Sequence, residues 1–62
     1  MSKEKEITRV ANNFFEWMVD NGYCDRYTYD ETDTIKEIEE DLTNIYSVAP
    51  RLFNQIKIMS DR

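Results

Sequence analysis

Residues 7–22 read ITRVANNFFEWMVDNG, and the spacing of their apolar members constrains everything around them. At about 100° per residue, Ile7, Val10, Ala11, Phe14, Phe15, Trp17, Met18 and Val19 sweep roughly 200° of a helical surface. A single neighbouring helix needs a stripe only about 100° wide. A helix with this pattern therefore lies between two others, or also faces a second copy of the chain. Gly22 stands where a helix takes its left-handed stop. Asn21-Gly22 is also a hairpin-turn dipeptide, but the residues before it keep helical spacing, which favours the stop. The pattern predicts a first helix over about 3–21.

Downstream of Gly22 two more amphipathic helices are expected. Thr34 and Glu37 have the spacing of a capping box and Ile35 opens an apolar series, which predicts a helix over about 34–46 with Ile35, Ile38, Leu42, Ile45 and Tyr46 facing inward. Ser47 or Ala49 then caps a third helix over about 49–60, with Pro50 tolerated in its first turn because its missing N–H has no helical partner to lose. Ala49, Leu52, Phe53, Ile56 and Met59 are its expected inward set. The segment 22–33 reads as an ordered loop rich in Tyr and Asp. Tyr23, Asp25, Tyr27 and Tyr29 alternate as a short strand would, so a strand there is the alternative. The expected architecture is one all-α, three-helix domain covering residues 1–62, with that loop between helices 1 and 2.

Composition narrows the function classes. The 62 residues carry a net charge of −5, one cysteine and no histidine. A chain this short buries only about 60% of the surface its unfolded form exposes. The usual supplements to a thin core are disulfides, a structural metal or self-association, and one cysteine without histidine argues against the first two. Cys24 and the lack of a recognisable leader point to a reducing, cytoplasmic setting, and no apolar run approaches the roughly 18 residues of a membrane span.

Catalysis finds little foothold. Without histidine the commonest general base is missing, and Cys24 has no evident partner to activate it. Paired carboxylates need an enclosing pocket to separate their pKa values, and three short helices hardly form one. Asp30, Thr32, Thr34 and Asp41 fall at positions 1, 3, 5 and 12 of a calcium loop. Ile35 replaces the glycine such a loop needs, however, and Asp41 replaces its bidentate Glu. The chain is expected to be no enzyme, and to hold neither cofactor nor metal.

The charge is concentrated. Between Asp25 and Asp41 eight carboxylates face two cations, Arg26 and Lys36, a local charge of −6, whereas residues 1–24 sum to −1 and residues 42–62 to +2. Such polarity suits a positively charged partner. The first expectation is therefore a small acidic binding protein: a stoichiometric inhibitor or modulator, of the kind phages encode, of a basic protein that handles nucleic acid. Asp30, Glu31, Asp33, Glu37, Glu40 and Asp41 would imitate a phosphate backbone, with Tyr27 and Tyr29 as aromatic anchors. The competing explanation is a solvated face that serves solubility.

The alternative is a helix-turn-helix regulator that reads DNA with helix 3. Arg51, Asn54 and Gln55 share its outer face, and such side chains read base edges in the major groove. Three or four cations give little phosphate neutralisation, which disfavours direct DNA binding. Ile58 falls on the same outer face. With the wide apolar arc of helix 1, it makes a homodimer through helix 1 or helix 3 a further expectation.

Overall fold

Three helices make up the computed structural model, which describes residues 2–25 and 30–61: α1 (Lys3–Asp20), α2 (Glu31–Val48) and α3 (Pro50–Ser60). Among the described residues there is no strand, and the fold is all-α. Each helix packs against both of the others, the arrangement that the broad apolar arc of α1 requires.

The start of α1 is fixed by Ser2, whose hydroxyl accepts from the Lys5 amide at 3.3 Å. Its end is a complete Schellman motif. Gly22 takes φ +78°, its amide donates to the Val19 carbonyl at 3.2 Å, and the Tyr23 amide donates to the Met18 carbonyl at 2.8 Å. Glycine bears that backbone without the steric cost a side chain would add.

Helix α2 begins three residues before Thr34. Asp30 is its N-cap, with Oδ1 accepting from the amides of Thr32 at 2.9 Å and Asp33 at 3.2 Å. Two cap sequences compete here, and the earlier one takes over because a short carboxylate bonds two amides that would otherwise be unpaired. The loop after α1 is correspondingly shorter than 22–33. Helix α2 also runs to Val48, and Ala49 serves at once as its C-cap and as the N-cap of α3, where it makes no side-chain cap bond.

The core consists of Ile7, Val10, Ala11, Phe15, Leu42 and Phe53, all at most 4% exposed. Ile35, Ile38, Ile45 and Tyr46 pack around it from α2, and Ile56 from α3. The Tyr46 ring meets Phe53 edge-on, with centroids 4.9 Å apart. Tyr46 also receives a cation, since the Lys3 ammonium lies 5.2 Å from its centroid.

Helix α3 is rotated from the face its apolar residues suggest. Phe53, Lys57 and Ser60 turn toward the other helices, while Leu52 and Met59, expected to face in, are 46% and 47% exposed. Two polar contacts accompany this orientation. Lys57 Nζ donates to Glu6 Oε1 on α1 at 2.9 Å, and the buried Ser60 hydroxyl is satisfied by the Ile56 carbonyl at 2.7 Å. A satisfied hydroxyl is buried at small cost, and the lysine stem supplies apolar packing beneath its charge. The hydrogen bond from Lys57 holds the Glu6 carboxyl below its ordinary pKa. The charges of Lys57 and Arg9 act in the same direction, and desolvation acts against them.

Candidate functional site

Each carboxylate of the expected acidic face is exposed, but the six do not share one role. Asp30 is committed to the cap of α2. Glu31 and Asp33 occupy the first turn, where negative charge is favoured by the helix dipole and by unpaired amides. These three therefore have a structural reason to be acidic. Glu37, Glu40 and Asp41 lie beyond the first turn, where that reason lapses.

Helical geometry sets the pattern of the remaining face. Asp33, Glu37 and Asp41 follow one another at four-residue steps, about 6 Å of axial rise each, and Glu40 stands between the last two on the adjoining row. A groove lined by Asp30, Asp33, Thr34 and Glu37 joins the cap to this row. Lys36 is the one cation within α2. Like charges at i,i+4 repel, so the arrangement is destabilising as it stands.

Three cations of the other helices are drawn inward or sideways. Lys3 sits over Tyr46, Lys57 bonds Glu6, and Arg9 lies 3.8 Å from Asp61. These contacts tie α1 to its neighbours and leave the outer face of α2 strongly negative. Glu39, by contrast, is half-buried beside Lys3, Ile7 and Thr43 and belongs to the junction of α1 with α2.

On α3 the structure brings Arg51, Asn54 and Gln55 together as exposed residues, and Ile58 beside them is 68% exposed. The apolar residues Leu52 and Met59 border this group, so the face mixes base-reading side chains with bare hydrocarbon. Tyr27 and Tyr29, the expected aromatic anchors, lie outside the described residues.

One group was not visible as a unit in the sequence. Phe14, Trp17 and Tyr23 form a ladder of near-parallel rings, with centroids 5.8 Å and 5.6 Å apart and interplanar angles of 8° and 16°. Phe14 and Trp17 are half-buried, and Tyr23 is 75% exposed. The signal was available in the Gly22 stop, since the residue directly after such a glycine commonly packs back on the last turns of its helix.

No group of three or more Cys, Asp or Glu side chains among the described residues is placed to hold a metal ion, and no described helix is long and apolar enough to cross a membrane. No protein-family model, curated protein or solved structure matches the chain.

Proposed function

We propose that this chain is a non-enzymatic acidic binding protein whose α2 outer face meets a basic surface on another protein, acting as a stoichiometric inhibitor or modulator of a nucleic-acid-handling protein. The observation that carries this reading is the exposed row Asp33, Glu37, Glu40 and Asp41 on a helix with a single cation. Past the first turn Glu37 and Asp41 have no dipole contact to explain them, and their repulsion at four-residue steps makes them a cost, whereas Glu40 alone has an opposite charge, Lys36, four residues before it. Negative charge repeated about every 6 Å along a rigid rod is what a cationic nucleic-acid channel is suited to hold. Its main effect is on the rate and selectivity of encounter, which makes association salt-dependent.

A second reading, DNA binding through α3, is favoured by the joint exposure of Arg51, Asn54 and Gln55. Two features weigh toward the protein partner instead. In a helix-turn-helix the helix before the recognition helix crosses the phosphates, and here that helix bears the acidic row. The motif also uses a turn of about three or four residues, whereas Ala49 alone separates α2 from α3.

The test compares the tagged chain with a Glu40→Lys, Asp41→Lys variant in capture from a bacterial lysate at low and high salt. The captured protein is then purified and assayed for nucleic-acid binding with the chain at equimolar ratio. The expected result is a basic protein held at low salt, shed at high salt, lost by the variant and inhibited by the original chain. Equal capture by both chains would refute the acidic face as the contact. Duplex DNA shifted by the purified chain, and released by Arg51→Ala, would establish the second reading.

A further inference from the structure

Asn21-Gly22, the pair that ends α1, carries a reactivity of its own. Asparagine followed by glycine is the dipeptide in which a chain most readily attacks itself, because glycine has no side chain to crowd its amide nitrogen. The Gly22 nitrogen, deprotonated by hydroxide, adds to Asn21 Cγ. The Cγ–Nδ2 bond then breaks, ammonia leaves with the proton it needs from water, and a five-membered succinimide remains. Water opens that ring at either carbonyl. The products are an aspartate, or an isoaspartate whose main chain runs through the former side chain.

In the folded chain this path is closed, and burial is not the reason. Both residues are exposed, and a Cβ at Gly22 would meet no heavy atom within 4 Å. Geometry closes it instead. Asn21 has ψ 6°, so the Gly22 nitrogen eclipses the Asn21 nitrogen, and Cβ stands about 120° away around the Cα–C bond. The ring forms only with the nitrogen on the Cβ side, which requires Asn21 to turn about that bond. The attacking group is engaged as well, since the Gly22 amide donates to the Val19 carbonyl at 3.2 Å. So is the group attacked. Asn21 Nδ2 donates to the Trp17 carbonyl at 2.8 Å, and the same carbonyl accepts from the Asn21 amide at 3.0 Å. Reaction therefore requires the end of α1 to open.

That opening is local. Lys3 lies over Tyr46 and Asn12 lies beside Thr32 and Ile35, so α2 runs antiparallel to α1, and its first residue stands level with about residue 16. Helix α3 runs the same way as α1 and ends beside Arg9. Neither neighbouring helix reaches the last turn of α1, which opens at a smaller cost than the core. The product does not let it close as before. A carboxylate at position 21 has no N–H to offer Trp17, and it adds negative charge at the negative pole of the helix. An isoaspartate also lengthens the main chain by one carbon, which displaces the Gly22 and Tyr23 amides from Val19 and Met18.

We propose that Asn21 is a conformationally gated deamidation site: the folded end of α1 holds it closed, local opening exposes it to attack by Gly22, and the product keeps that end open.

The experiment incubates the full chain at neutral pH, in buffer and in denaturing urea, and follows every asparagine by peptide mapping with mass spectrometry. In urea Asn21 should be modified ahead of Asn12, Asn13, Asn44 and Asn54, each of which precedes a residue with a side chain. In buffer its rate should be about 10- to 100-fold lower, the factor set by two hydrogen bonds that must break first. Tyr23→Ala removes the ring that stacks on Trp17, and should raise the rate in buffer several-fold while leaving the rate in urea unchanged. Asn21→Asp carries the product's charge without its extra carbon, and should lower Tm by about 2–8 °C. Equal rates in buffer and in urea, faster modification of another asparagine in urea, a Tyr23→Ala rate in buffer equal to the parent's, or an Asn21→Asp Tm at or above the parent's would each overturn the proposal.

Discussion

Replacing Glu37 by lysine is expected to stabilise the fold and weaken partner binding at the same time. Glu37 is exposed on α2, four residues after Asp33 and four before Asp41. Each like-charge i,i+4 pair costs about 0.2–0.5 kcal/mol, and each opposite pair contributes a similar amount. Converting two repulsive pairs to attractive ones therefore changes stability by roughly 1–2 kcal/mol. The lower figure is the better guide, because a lysine placed four residues before Asp41 has the weaker orientation and the sites are solvated. Glu37 is past the first turn, so no favourable dipole contact is lost. For a domain of this size about 1 kcal/mol corresponds to a rise in Tm of roughly 4–8 °C. The assay is a thermal melt followed by circular dichroism at low salt and at about 1 M salt, where screening acts within about 3 Å and the gain should largely vanish. An unchanged or lower Tm at low salt would refute the claim that this face is built at the expense of stability. A raised Tm with undiminished capture of the partner would leave the face a solvated one.

Three further predictions concern the scaffold. Leu42 is 2% exposed and belongs to the core that joins the three helices. Leu42→Ala should cost about 2–5 kcal/mol, comparable with all that a core this size supplies, so the variant should be largely unfolded by circular dichroism; a Tm within a few degrees of the parent would contradict this. Asp30→Ala should cost about 1 kcal/mol through loss of the α2 cap, whereas Asp30→Asn keeps an acceptor and should cost far less. Equal urea midpoints for the two variants would show that the charge and not the cap matters. The lowered pKa of Glu6 means that its bond to Lys57 stabilises the fold above the unfolded carboxylate range, and this stability is lost as pH falls through the folded value. Lys57→Met should flatten that part of the profile of urea midpoint against pH between neutral and about pH 3; superimposable profiles would rule the bond out as its source.

The residues that share a helix face were legible from spacing, because a period of 3.6 fixes direction around an axis before any partner is present. Ile35, Ile38, Leu42, Ile45 and Tyr46 do line the inner side of α2, and Gly22 does end α1, since only local backbone chemistry is involved. The exposed carboxylates of α2 follow from the same periodicity. Three other features were decided by the folded chain. The turning of α3 toward Phe53, Lys57 and Ser60 goes with a bond from Lys57 to Glu6, 51 positions away. The choice of Asp30 over Thr34 as cap settled where the loop ends. The exposed ladder arises because α1, at about 27 Å, is longer than α3 at about 16 Å and is offset from α2. Periodicity states which side of a helix is apolar, but the lengths and registers of its neighbours settle how much of that side is covered.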